Sequence, residues 1–288
     1  MNRRKFLVNS GMTMTGMLIG ASAFAKHFDK DIIGIQLYSL RDDIDAIGIE
    51  ATIEKMAAAG YNSVEVYGFS VKEGYFKKTA GEMAAILKAN KIISPSGHYG
   101  YKTVTGDTQK VIDAALEMGH KYITIPSIPH ETANGKDDFI KAVENINKAA
   151  QQCKNHKLQL AYHNHDFEFE KFGDGTCGYD IMLKEFDKSL VNLEMDIYWV
   201  TKAGHDPLEL FEQNPGRFKM WHVKDMDKNN PELNTEIGSG TIDFKTIFSK
   251  ANLSGMEYFF VEQENFAIPS DESIRKSLQY IKSNLLKK

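Results

Sequence analysis

The 288-residue chain has only two cysteines, Cys153 and Cys177, so no disulfide framework can hold it together. One falls in an expected helix and the other in a glycine-rich loop, and the sequence leaves open whether they pair. Cationic charge is also short: 35 Lys and Arg stand against 39 Asp and Glu, a formal net charge of -4. That balance offers no broad basic field for nucleic acid or an anionic membrane surface, and suits a small neutral or weakly charged substrate. No run in the body of the chain approaches the ~20 apolar residues needed to span a bilayer. No Gly-x-Gly-x-x-Gly follows the first expected strand, so a dinucleotide site is not indicated. Low-complexity and linker-like tracts are missing too, which leaves one domain, and 42% hydrophobic residues suffice for a sizeable core.

The N-terminus does not look like part of that domain. Arg3-Arg4-Lys5 precedes a modestly apolar run, and Ala23-Phe24-Ala25 offers a small-x-small cleavage site. Residues 1–25 are therefore expected to be an export signal, with the mature barrel over 26–288. Asn2 through Leu7 resembles a twin-arginine signal, with an ordinary Sec signal as the alternative. Either route leads to a periplasmic protein, free of the membrane once the signal is removed.

From Ile32 onward the chain alternates short apolar, β-rich runs with helical patterns. The expected strands are Ile32–Leu40, Ser63–Tyr67, Lys91–Ser96, Tyr122–Ile128, Lys157–His165, Val191–Val200, Phe218–Asp225 and Tyr258–Glu264, each followed by a helix. Eight βα units in about 260 residues predict a closed (β/α)8 TIM barrel of the α/β class, with a doubly wound open sheet as the runner-up.

A barrel gathers the C-terminal ends of its strands over one pocket, and there the sequence is rich in titratable groups. Glu65 follows the second strand, His98 the third, His163 and His165 the fifth, Asp196 the sixth, His222 the seventh, and Glu262 with Glu264 the eighth. Residues two apart on a strand face the same way, so His163 and His165 can both point inward, and Lys224 shares the face of His222. A mixed imidazole and carboxylate set suits a divalent transition metal better than calcium. Manganese is the first expectation, with zinc, cobalt, iron or magnesium as alternatives. Any one of these residues alone is more often a hydrogen-bonded structural group, but four successive strands ending in Asp, Glu or His are harder to ascribe to chance. Lys224 either binds a substrate oxygen or pairs with Asp225 or Glu262. Tyr38, Trp199 and Phe266 could wall a sugar ring. His205 and Asp206 before Pro207 read as a helix start, Asp206 capping it.

Several of these runs together resemble the xylose isomerase-like barrel family, the sugar phosphate isomerases and epimerases that also include inosose dehydratases, hydroxypyruvate isomerases and endonuclease IV repair enzymes. They are Ala59 to Glu65, Tyr162 to Glu168, Met195 to Val200 with Ala203 to Pro207, Trp221 to Asp225, Ile237 to Gly240, and Val261 to Glu264. The resemblance implies metal ligands at Asp196, His222 and Glu262, with His163 as the fourth. Family epimerases carry a glutamate where His163 stands, and use it as one of two bases. Its replacement argues for one base, Glu262, abstracting a proton α to the carbonyl of a keto-sugar through a metal-stabilised enediolate, with Lys224 and His165 assisting. Glu65, His98, Trp199 and Tyr38 are then expected to bind substrate. The leading expectation is a metal-dependent sugar isomerase or epimerase. The alternative is a lyase eliminating water or an aglycone from a keto-sugar, 3-keto-glycoside or keto-cyclitol, a reading raised by His-x-His in the fifth strand, which resembles the inosose dehydratase branch. A DNA repair enzyme is disfavoured by the acidic balance. A non-catalytic sugar-binding barrel is the third reading, and a homo-oligomer is compatible with all of them.

Overall fold

The computed structural model describes residues 28–287. The expected export signal and its cleavage site lie outside the described residues. Eight strands form the barrel: β1 (Gly34–Gln36), β2 (Ser63–Val66), β3 (Ile93–His98), β4 (Tyr122–Ile125), β5 (Gln159–His163), β6 (Val191–Asp196), β7 (Phe218–Val223) and β8 (Tyr258–Val261). Every pairing is parallel and joins sequence neighbours, until β8 closes on β1 with Gly34 opposite Phe260. A helix follows each strand, as the alternation predicts. Lys136–Asn155 buries Phe139, Ala142, Val143, Ile146, Ala149, Ala150 and Cys153, a stripe at helical spacing pressed on the sheet. Asp206 caps Pro207–Gln213 by accepting the Leu208 amide at 2.8 Å, as its position before Pro207 suggests.

The barrel interior is graded from apolar to charged. Tyr122, Ala161, Met220 and Phe260 form a small buried cluster of their own, apart from the main core between strands and helices. Gly34 makes this possible, because a Cβ there would meet the Phe260 ring at 2.4 Å. Two residues further along the same faces stand His163 after Ala161, His222 after Met220 and Glu262 after Phe260, so the period of two converts an apolar plug into a polar layer above it.

Three boundaries differ from the sequence reading for local reasons. β1 stops at Gln36 because the Gln36 side chain accepts the Tyr38 amide and turns Leu37–Leu40 into a 3-10 helix. β3 runs on through His98. The sixth strand ends at Asp196, whose carboxylate accepts the Trp199 amide at 3.0 Å and starts the helix Ile197–Lys202, so Trp199 is helical. Two hairpins were not foreseen: Phe69–Ser70 with Gly74–Tyr75 after β2, and Asp225–Met226 with Asn234–Thr235 after β7. Among the described residues both cysteines are free and buried, and no helix is long and apolar enough to cross a membrane.

Candidate active site

At the C-terminal mouth, β5 to β8 bring His163, Asp196, His222 and Glu262 together, all buried, with one donor atom of each within 4.8 Å of the others. His163 Nδ1 lies 3.1 Å from the Pro126 carbonyl, which can only accept, so the proton sits on Nδ1 and Nε2 keeps its lone pair. That Nε2 has no partner, and neither does Asp196 Oδ2, 3.6 Å away. Two buried acceptors facing each other without a donor are costly unless a cation stands between them. His222 Nδ1 lies 3.0 Å from Glu262 Oε2 and 3.9 Å from Asp196 Oδ2. Donors about 2 Å from a common centre span distances of this size, so a histidine, aspartate, histidine and glutamate set fits a zinc- or manganese-type divalent ion.

Beneath this set lies a second group, Glu65, His98, Glu194 and His222, whose donor atoms also approach within 4.8 Å. Here the nitrogens already have partners. His222 Nε2 lies 2.7 Å from Glu65 Oε2, and His98 Nε2 lies 3.1 Å from Glu65 and 3.0 Å from Glu194. Glu65 also accepts Gln36 Nε2 at 2.7 Å and Ser96 Oγ at 2.5 Å. We read this layer as protonated support: a carboxylate below His222 fixes its Nε2–H and turns Nδ1 toward the ligand set. Only Glu194 Oε1 lacks a partner there.

The charges of the two layers depend on one another. Burial opposes ionisation of Glu65, but His98 and His222 hold it well below the usual carboxylate range. Burial and the neighbouring Glu65 raise Glu194. Burial works against the His98 cation, yet Glu65 and Glu194 raise its pKa to about 9. His222 is likewise disfavoured by burial and held well above its ordinary value by Glu194 and Glu262. Glu262 stays far below the usual range despite burial, through Lys224 and His222. His165 goes the other way, kept neutral by burial and by His163.

Above the ligand set opens a cavity of about 470 Å³ lined by Tyr38, Tyr67, Phe69, His98, His163, His165, Trp199, Glu262 and Glu264, among others. Of the residues expected to bind substrate, Tyr38, His98 and Trp199 line this cavity. Glu65 does not: with no exposed surface, it supports His222 and His98 one layer deeper, because β2 is short and its register sets Glu65 beside Gln36 and Ser96. Phe266 is also outside the lining. Lys224 is fully buried, 3.4 Å from Glu262 Oε2 and paired with Glu264, with Nζ 4.8 Å from the centre of the Trp199 ring. Of its two foreseen partners, Glu262 is correct and Asp225 is not. Asp225 instead accepts the backbone amides of Met226, Gly238, Gly240 and Ile242 at 2.8 to 3.2 Å, binding the loop after β7 into a fixed form. Gly240 is required there, since a Cβ would lie 2.3 Å from Asp225 Oδ1.

Three functional groups escaped the sequence reading. Glu194 had a signal, its period-two relation to Asp196 on β6. Glu264 was noted at the strand end but given no role. Glu168 had none: its fully buried carboxyl accepts Tyr162 Oη at 2.7 Å and the His165 amide at 2.8 Å, steering the loop that carries His165.

Comparison with known proteins places the chain among sugar-metabolising barrels. An inosose dehydratase of Clostridium botulinum is 27% identical, over 88% of this chain and 97% of its own. A sugar phosphate isomerase/epimerase from Parabacteroides distasonis superposes with a TM-score of 0.79 at 25% identity, covering 91% of this chain and 97% of that one. The fold is shared with an IolI protein whose structure holds a zinc atom, at a TM-score of 0.65 and 13% identity over 88% and 98% of the two chains. Residues 53–284 match the xylose isomerase-like TIM barrel family, and the chain belongs to it.

Proposed function

We propose that this protein is a divalent-metal-dependent lyase that removes a proton α to the carbonyl of a neutral keto-sugar or keto-cyclitol and eliminates a β-oxygen substituent. One observation carries the choice of elimination over two-base epimerisation. Both carboxylates lining the cavity, Glu262 and Glu264, come from the end of β8, so they reach a substrate from one side, and the end of β5 presents His163 and His165. Epimerisation with inversion by two bases needs one on each face. The kinship with inosose dehydratases supports the same reading.

His163, Asp196, His222 and Glu262 would hold the ion, which when bound supplies Lewis-acid stabilisation of the charge developing on the substrate oxygens. Glu262, kept as a carboxylate, takes the α-proton. The electron pair of that C–H bond forms the C=C bond as the β-carbon–oxygen bond breaks, and the departing oxygen takes a proton to leave as water or an alcohol. His98 is placed to give that proton: its Nε2 is held by Glu65 and Glu194, which leaves Nδ1 as the edge for substrate. Lys224, buried behind the cavity wall, keeps Glu262 ionised, and neutral His165 orients hydroxyls along that wall. A substrate without a phosphate is supported by the loop after β7. TIM barrels frequently bind phosphate in the loops after strands seven and eight, but here the amides of Gly238, Gly240 and Ile242 are taken by Asp225. The export signal read in the sequence points the same way.

Isomerisation, through an enediolate formed by the same proton removal, is the second reading, favoured by the sugar phosphate isomerase/epimerase neighbour. NMR of the metal-loaded protein with inososes, keto-hexoses and methyl 3-keto-glucosides in D₂O separates the two. Elimination gives an enone with loss of water or alcohol, isomerisation gives an isomeric carbonyl compound without loss, and a panel in which no substrate loses or exchanges its α-proton refutes both.

A further inference from the structure

We propose that the cavity has a second, aromatic subsite that takes a second ring of the substrate, an aryl or sugar aglycone, so that the substrate is a glycoside and not a lone ring. The inference rests on the proposed function and specifies its substrate. A single pyranose, about a dozen non-hydrogen atoms, fills less than half of about 470 Å³ at protein packing density. The lining includes Tyr38, Tyr67 and Phe69, three aromatic rings that belong to neither the ligand set nor its supporting layer. Phe69 belongs to the hairpin after β2, which contributes nothing to barrel closure. Loops of this kind on a barrel rim serve recognition.

The wall is built to stay rigid. Tyr38 meets Tyr67 edge to face at 5.1 Å, Tyr67 meets Phe76 at 5.2 Å, and Phe69 meets Tyr99 at 5.3 Å. The Arg41 guanidinium lies 4.7 Å from the Tyr38 ring centre and donates to the carbonyls of Tyr38 at 3.2 Å and Glu264 at 2.8 Å. Tyr38 is nevertheless 41% exposed, an open aromatic surface continuous with the catalytic pocket. The negative face of such a ring packs on the C–H edges of a pyranose or on an aryl ring. Among the described residues the lining contains no Lys or Arg, and its raised-pKa histidine, His98, is paired with Glu65 and Glu194; behind the wall, Arg41 is held by carbonyls and Lys224 by carboxylates. A neutral ring is therefore the occupant.

The test is calorimetric titration of the metal-loaded full chain with unreactive methyl and phenyl glucosides of both anomers and with cellobiose, repeated on Tyr67→Ala. A phenyl glucoside or cellobiose binding at least about fivefold tighter than the matching methyl glucoside, with that ratio falling toward one in Tyr67→Ala, supports the subsite. The ratio is used because general damage to the fold weakens all ligands alike. Equal binding of one-ring and two-ring ligands, or a ratio that survives in Tyr67→Ala, overturns it. So does the absence of binding by every glycoside. The D₂O experiment judges the lyase reading separately, since it uses single-ring ketones.

Discussion

Glu65→Gln should weaken metal binding without touching a ligand. Four donors converge on the Glu65 carboxylate: Gln36 Nε2 at 2.7 Å, Ser96 Oγ at 2.5 Å, His98 Nε2 at 3.1 Å and His222 Nε2 at 2.7 Å. An amide of the same shape has one accepting oxygen and must present an N–H to at least one of these donors. The partner that matters is His222, which loses the charge that orients its ring and makes Nδ1 a better ligand. Loss of such a support costs about 10–100-fold in metal affinity, or about 1.4–2.7 kcal/mol. The buried mismatch also lowers the stability of the metal-free protein by about 1–3 kcal/mol. Chelator competition with Mn²⁺ and Zn²⁺ measures the affinity, and thermal melts of the metal-free proteins measure the fold. Ser96→Ala is the control, since it removes a Glu65 partner but spares the contact with His222, and should leave affinity within about threefold. A Glu65→Gln protein that binds metal as tightly as the parent would refute the assignment of Glu65 to the supporting layer.

The remaining predictions concern stability and pH. His98 and His222 have raised folded pKa values, so in the metal-free protein their contribution is complete below about pH 6.5 and is lost as pH rises, through about 9 for His98. Metal must displace the His222 proton, so affinity should rise with pH, binding should release protons to the buffer, and metal at 100 times its Kd should stabilise by about 2.7 kcal/mol; pH-independent binding counts against the ligand set. His120, buried between Tyr99 Oη at 3.0 Å and Ser94 Oγ at 3.1 Å, has its pKa lowered by burial to about 3. Its contribution is present above pH 6.5 and lost below it, about 2 kcal/mol by pH 5. His120→Gln should therefore flatten the acid side of the stability profile, and an unchanged profile contradicts this. Asp225→Ala leaves amides of the loop after β7 without an acceptor and should cost about 3 kcal/mol, with faster proteolysis confined to residues 225–242; an unaltered cleavage pattern would show that the carboxylate does not hold the loop.

The barrel was legible because its two periods are clean: alternating strand and helix along the chain, and inward residues two apart within strands. Convergence of the strand ends put His163, His222 and Glu262 over one pocket before any coordinates, and the family resemblance implied them as ligands. Depth was not legible. Glu65 and His98 look alike as polar residues at strand ends, and only the closure of the sheet puts Glu65 under His222 while His98 reaches the cavity. Glu194 was passed over because an acid inside a strand is costly unless paired, and its partner His98 lies 96 residues away. The hairpin carrying Phe69 has two-residue strands, too short to show a period. Asp225 was taken as a neighbour for Lys224, although adjacent strand residues face opposite ways, and its real partners are backbone amides of a loop 13 to 17 residues on.

The most direct test of the central claim is a crystal structure soaked in Mn²⁺, read by anomalous scattering. The account predicts one peak within coordination distance of His163 Nε2, Asp196 Oδ2, His222 Nδ1 and a Glu262 oxygen, with Glu65 still bound to His222 Nε2. A peak between Glu65, His98 and Glu194 instead, or none at the four ligands, would contradict it.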